Sequence, residues 1–241
     1  MTEVDLDRLA EGYRHRPASV ASLERAHAAG SSLVRGARVL DVGGGPGNHA
    51  AVWQRQGLNA VVLDPSAAML AYGRRHDLRS VRGTAQAMPF RMYRFALVWF
   101  HLSIHYGDWR AAIDESVRVL DDRGSLEIWT LGPDHHERSM LARWFPSVAR
   151  IDAHRFPHPE ALAGYLSGQV PDVSVTHPVE EVARPSGSWL RAVEAGFIST
   201  LQLLSEDERS AGIEAFRRAH PDPDEEIAYQ LHFTRIVGAR D

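Results

Sequence analysis

The stretch from Arg38 to Asn48 reads Arg-Val-Leu-Asp-Val-Gly-Gly-Gly-Pro-Gly-Asn, and it limits the possible folds more than any other part of the chain. Val39, Leu40 and Val42 suit a strand buried on both faces. Gly43, Gly44, Gly45 and Gly47 permit positive φ and close approach of backbone to a ligand. A strand, a glycine turn and then a helix place that ligand at the carboxyl end of a parallel sheet. The glycines at 43, 45 and 47 are spaced G-x-G-x-G, with Asp41 two residues before the first. A dinucleotide loop needs G-x-G-x-x-G, so the spacing favours a different nucleotide-like cofactor over NAD.

The chain from Val39 to Gly47 resembles motif I of the class I S-adenosylmethionine (SAM) dependent methyltransferases, in particular their small-molecule, methyltransferase type 11-like group. One βα unit later the strand Ala60 to Leu63 ends in Asp64, matching the family's motif II, where an acid accepts from both ribose hydroxyls. Pro65 and Ser66 then lead into a helix carrying Met69, the apolar residue that the resemblance sets near the adenine. A third segment, Arg82 to Phe90, is similar to the family's G-D-A-x-x-L-P-F, which reads the adenine edge. It implies contacts from Thr84, Ala85 and Gln86. Thr84 stands where the family has Asp, so a hydroxyl without charge is the acceptor there. The resemblance is strong from Val39 to Trp129 and diffuse outside it. It implies SAM as cofactor, Asp41, Gly43, Gly44 and Gly45 as parts of its site, and Asp41 in a positioning role.

A length of 241 residues with 44% hydrophobic content suits one large α/β domain, or a domain with a small cap. Net charge is -4 without any basic run, which argues against a grip on nucleic-acid phosphates and favours a small-molecule partner. There is no cysteine, hence no thiolate nucleophile or thiolate metal site. All 27 basic residues are arginine, which excludes a Schiff-base lysine. The first residues lack a basic region followed by an apolar one, and no apolar run approaches about 18 residues. These features predict a soluble, cytoplasmic protein without a membrane partner. A homodimer is the oligomer kept in view.

In chain order, helices are expected over 6–13 and from Pro17 to Gly30, ahead of the sheet. Tyr13-Arg14-His15-Arg16-Pro17 resembles the Y-x-x-R-P signature that precedes motif I in many small-molecule methyltransferases. That resemblance implies a contact with the cofactor's methionine carboxylate or with the acceptor for Tyr13, and for Arg14 or Arg16, the plainer reading being a packed Tyr13 and solvated arginines. Strands at 39–42, 60–63, 78–81, 95–99 and 125–131 alternate with helices at 48–56, 66–74 and 109–120. Asp121 to Gly124 forms the last turn. Val173 to Thr176 and a final strand from Ile227 to Val237 are expected to pair antiparallel. Helical patterns over 188–203 and 206–218 fall between them. The predicted architecture is a Rossmann-like, doubly wound α/β fold. Its seven-stranded sheet is mostly parallel with an antiparallel last strand, and helical cap insertions are added. One domain over 1–241 is expected: cap helices to 36, the cofactor core at 37–131, insertions at 132–170 and 185–222, and the last strand at 223–241.

Methyl transfer from a sulfonium is an in-line displacement in which alignment supplies much of the acceleration, so a base matters only when the acceptor must lose a proton. By resemblance Phe100 contacts the cofactor, and His101 and His105 sit near the correct strand end to act as bases. The plainer reading of each imidazole is packing or helix capping. Trp144, Phe145, Trp189 and Phe197 are candidates for an apolar acceptor pocket, with Trp144 and Trp189 foremost, although cap core is the alternative for each. Among 13 histidines, His135, His136, His154 and His158 lie near Glu137, but H-E-x-x-H is absent and Pro157 interrupts the helix face, so no metal site is expected. The leading function is methyl transfer to an O, N or C atom of a small metabolite, giving S-adenosylhomocysteine. The alternatives are a SAM-binding protein of the same fold that transfers no methyl group, as a partner subunit or a rearrangement or cyclisation catalyst, and a nicotinamide oxidoreductase.

Overall fold

The computed structural model describes residues 4–12, 18–73 and 77–240. The chain divides into two compact units. The first to consider comprises Ala18–Thr130, Phe156–His177 and Thr234–Asp241, and contains the glycine-rich stretch.

In that unit β1 (Arg38–Val42) lies between β2 (Asn59–Asp64) and β4 (Phe95–His101), all parallel. β3 (Arg79–Arg82) pairs parallel with β2, and β5 (Leu120–Leu131) pairs parallel with β4. The helices α2 (Val20–Ser31), α3 (Asn48–Arg55), α4 (Ala67–Gly73), α5 (Trp109–Val119) and α9 (Pro159–Ser167) accompany the strands. Asp108 starts α5 by accepting from the amides of Arg110 and Ala111 at 2.9 and 3.3 Å. The central strands are apolar on both faces because both are covered. Leu40, Val42, Val98, Phe100, Leu126 and Ile128 form one core with Ile113, Leu162 and Leu166. Each such side chain contributes roughly 1.5–3 kcal/mol by leaving water.

The complete strand order is β3-β2-β1-β4-β5-β8-β6, where β6 is Asp172–Thr176 and β8 is Glu226–Ala239. β6 runs antiparallel to β8, as expected. The sheet has eight strands rather than seven, because Val179–Pro185 forms β7 against residues 226–232 of β8. A 14-residue β8 is long enough to pair with β7 over its first half and with β6 over its second. A second difference concerns Asp121 to Gly124. These residues do not precede β5 but lie within it, where the register shifts between the pairs Phe95↔Leu120 and Leu97↔Ser125.

The other unit comprises Met1–Pro17, Leu131–Arg155 and Pro178–Phe233. It contains α1 (Leu6–Gly12), α6 (Pro133–Arg138), α7 (Met140–Trp144), α8 (Ser147–Arg155), α10 (Ser186–Glu194) and α11 (Glu206–Ala219). Its core joins Phe145, Val148, Trp189, Val193, Phe197, Phe216 and Ile227. The helix expected over 188–203 is interrupted: α10 ends, Gly196 takes φ +66°, and a 3-10 turn follows at Ser199–Leu203. Among the described residues no helix is long and apolar enough to cross a membrane.

Candidate cofactor site

Gly43, Gly45 and Gly47 adopt φ of 65°, 55° and 80°, values open to glycine and strained for most other residues. The Gly43 amide donates to Leu63 O at 2.7 Å, and Ser103 Oγ donates to Val42 O at 2.6 Å. A Cβ at Gly43 would stand 2.5 Å from Ser103 Cβ, so the loops after β1 and β4 meet at this glycine. Leu102 has φ +55° and gives its amide to Trp129 O at 2.9 Å. The left-handed conformation costs a leucine about 1–2 kcal/mol, and such strain gathers at functional sites. The ends of β1, β4 and β5 are thereby stitched at one level.

Asp64 is buried at the end of β2. Its Oδ2 accepts from the Gly45 amide and its Oδ1 from the Ser66 amide, both at 2.9 Å. The acid that the resemblance assigns to ribose therefore also holds the glycine loop. Ser66 Oγ caps α4 by accepting from the Met69 amide at 3.0 Å, and Met69 Sδ lies 3.6 Å from where a Gly45 Cβ would stand. Pro65 O accepts from Arg82 Nε at 3.1 Å. In the third motif Thr84 bridges Ala87, and Gln86 Nε2 donates to Tyr106 O at 2.8 Å, which joins this loop to the one after β4. Ala85 packs against the sheet core. Glu115 Oε2 takes the Met88 amide at 2.7 Å, and Arg118 holds the carbonyls of Phe90 and Met88 at 2.8 and 3.1 Å. The hydrogen bond from Arg118, helped by the Met88 amide and opposed by burial, keeps the Glu115 carboxyl below its usual range.

Asp41 is 1% exposed, and among the described residues its Oδ2 has no hydrogen-bond partner. That oxygen would be 2.6 Å from a Cβ at Gly44, so the carboxylate lies against the glycine turn. His49 Nδ1 is 3.9 Å from Asp41 Oδ1, while its Nε2 is 2.7 Å from Ser22 Oγ on α2. A buried carboxylate with an oxygen that has no donor favours an arriving cation and disfavours a pyrophosphate. The loop chemistry thus fits a cationic, phosphate-free ligand.

His101 lies parallel to Trp99 at 6.3 Å, and its Nε2 is 3.3 Å from Arg25. A guanidinium can only donate, so Nε2 is the accepting nitrogen in this contact. Arg25 also lies 4.6 Å above the Trp129 ring. Trp129 Nε1 donates to Glu127 at 2.7 Å, and Arg235 holds the same carboxylate at 2.7 and 3.0 Å. This fork, partly buried, raises the Arg235 pKa. His105 stacks on Phe156 at 3.9 Å, and the Tyr106 ring lies tilted against it at 4.2 Å.

The structure therefore brings together Asp41, Gly43, Gly44, Gly45, Asp64 and Met69. Phe100 is fully buried and turned to the sheet core, leaving its backbone as the part near the strand end. Trp189 stacks on Phe216 at 4.3 Å within the other unit's core, where Trp144 also packs. Tyr13 and Arg14 lie outside the described residues. His135 and His136 are buried in that same unit, where His135 Nδ1 accepts from the His232 amide at 3.3 Å. Burial chiefly pushes both imidazoles down to about 4, with His136 and His232 adding to the effect at His135. Among the described residues no three His, Asp or Glu side chains converge as a metal site. Sequence reasoning missed Ser22, Arg25, His49 and Ser103. For His49 a signal existed: it opens the helix after the loop, within reach of the acid that precedes the loop.

Residues 40–128 match the family described as the methyltransferase domain. The malonyl-[acyl-carrier protein] O-methyltransferase of Enterobacter lignolyticus is 36% identical over 137 residues, covering 56% of this chain and 54% of the relative. The demethylmenaquinone methyltransferase of Renibacterium salmoninarum is 35% identical over 98 residues, 39% of this chain and 41% of its own. The match thus spans about half the length of these curated relatives, or less. Among solved structures, a protein of Anabaena variabilis described as a methyltransferase from an antibiotic biosynthesis pathway has a TM-score of 0.70 at 19% identity, covering 93% of this chain and 98% of its own. The geranyl diphosphate C-methyltransferase of Streptomyces coelicolor has a TM-score of 0.58 at 18% identity, covering 92% and 76%. These structures share the fold. The matched residues build most of β1, the glycine loop, the acid-bearing β2 and β4, and over this stretch the chain is similar to class I S-adenosylmethionine-dependent methyltransferases.

Proposed function

We propose that this domain binds SAM on the Gly43–Gly47 loop and transfers its methyl group to an anionic oxygen of a small acceptor, first of all a carboxylate, leaving S-adenosylhomocysteine. The observation that carries the cofactor reading is the pairing of two buried acids at one loop. Asp64 anchors the Gly45 and Ser66 amides at the end of β2, where ribose hydroxyls would meet its carboxylate, while Asp41 has an oxygen without a donor beneath Gly44. When bound, the cofactor supplies an electrophilic methyl on a sulfonium, and its departure leaves a neutral thioether. The chain's part is to hold the reacting partners in line, which can supply much of the acceleration.

Two considerations support an oxygen that is already anionic. Relatives sharing 30–36% identity over half of their length are malonyl-[acyl-carrier protein] O-methyltransferases, and a malonyl group ends in a carboxylate. In addition, His101 gives its Nε2 to Arg25 and His105 packs against the rings of Phe156 and Tyr106, arrangements that suit positioning. An ionised carboxylate needs no base to become a nucleophile.

The test is to incubate the purified protein with SAM and, separately, a malonyl thioester, a phenol and a primary amine, following S-adenosylhomocysteine release and product mass. A base-labile methyl ester from the thioester is expected. Methylation of the amine alone would overturn the oxygen assignment. Bound cofactor without product from any acceptor would favour the non-transferring reading.

A further inference from the structure

The buried carboxylate of Asp41 has two candidate counter-ions, of which one, among the described residues, is a side chain of the protein. Among the described residues its Oδ2 has no hydrogen-bond partner, and His49, facing Oδ1, is the one basic side chain within ion-pairing distance. The 3.9 Å separation is too long for a hydrogen bond, yet suits an ion pair once the imidazole is charged. His49 is held from its other side by Ser22 Oγ at 2.7 Å. A hydroxyl accepts from an imidazolium and donates to an imidazole, so this contact survives in both protonation states.

The other elements around His49 present aromatic and basic groups. On β4 the His101 ring is 4.9 Å away, and Arg25 of α2 stands against His101 Nε2. Trp53 and Trp99 provide apolar walls at 6.3 and 5.8 Å. Asp41 is therefore the acid that faces His49, and His101, with Arg25 behind it, stands on another side of the ring.

We infer that His49 is a positioning residue that shares Asp41 with the cofactor: a charged His49 and the cationic amino-acid end of SAM are alternative partners of the same carboxylate. Ser22 keeps the ring in place and links that exchange to α2. Cofactor binding then displaces a proton from His49, and affinity rises with pH through the range in which imidazoles discharge. This inference rests on the SAM reading proposed above.

The test is calorimetric titration of the whole chain with SAM between about pH 5.5 and 7.5, in buffers of different ionisation enthalpy that report protons released on binding. For the parent protein, affinity is expected to fall about tenfold across that range on acidification, with net proton release near its middle. His49→Gln keeps a polar side chain beside Ser22. It is expected to bind SAM with a flatter profile and to lose the part of the proton release due to His49. An identical profile and identical release in His49→Gln would overturn the proposal. If that variant fails to fold, Asp41→Asn carries the test: weaker binding with reduced proton release is expected, and undiminished release overturns the proposal. A folded parent that binds no SAM at any pH withdraws the cofactor reading itself, an outcome distinct from SAM binding with an unaltered variant profile.

Discussion

Asp64 accepts from the amides of Gly45 and Ser66, so its removal disturbs the loop as well as any ligand on it. Asp64→Ala is expected to weaken SAM binding by about 2–3 kcal/mol and to lower the melting temperature, because two amides lose a charged acceptor. Asp64→Asn keeps one acceptor oxygen and should lose less of both. Equal SAM affinity for parent and Asp64→Ala, measured by calorimetry, would contradict the assignment. The two acids were legible because each stands at a fixed distance from a strand and a glycine turn. His49 was not, since its neighbours Ser22 and Asp41 come from α2 and β1 and meet only in the folded chain. Phe100 shows the reverse problem: its place at a strand end was readable, but the direction of its ring depended on which face of β4 the core covers.

At the level of elements, the glycine loop and α11 present the same physical constraint in different settings. Gly43→Ala must hold φ near +65° and push a Cβ against Ser103, so it should destabilise the protein by about 1–3 kcal/mol and abolish tight SAM binding. Denaturant unfolding and calorimetry together check this; a stable variant with parental affinity would contradict the stitched-loop geometry. In α11, a Cβ at Gly212 would collide with the Phe145 ring. Gly212→Ala is expected to lower stability by about 1–3 kcal/mol through overpacking, although alanine is the better helix former. A rise in melting temperature would show that Phe145 can yield. Strands β2 and β4 could be read from unbroken apolar runs, and β1 from Val39, Leu40 and Val42 on either side of Asp41. β7 could not, because Val179-Glu180-Glu181-Val182-Ala183-Arg184 has no such run and becomes a strand through its antiparallel partner β8. The shift at residues 121–124 likewise depends on how β5 meets β4, which no local pattern contains.

For the molecule as a whole, burial of His135 and His136 makes stability depend on pH with a defined sign. Both folded-state values are pushed down to about 4 from the ordinary 6.5. The unfolded chain therefore takes up protons that the folded chain does not, and stability should fall by a few kcal/mol as pH drops from about 6.5 to about 4. Chemical denaturation across that window should show a flatter dependence for the His135→Gln, His136→Gln double variant than for the parent. An equal slope would place the acid sensitivity elsewhere. The central claim concerns what the glycine loop holds, and it is tested most directly by titrating the folded protein with SAM, S-adenosylhomocysteine and NADH in parallel calorimetric experiments. The account predicts binding of the first two in the micromolar range, on the order of -8 kcal/mol, and none of the third. NADH binding without SAM binding would contradict it.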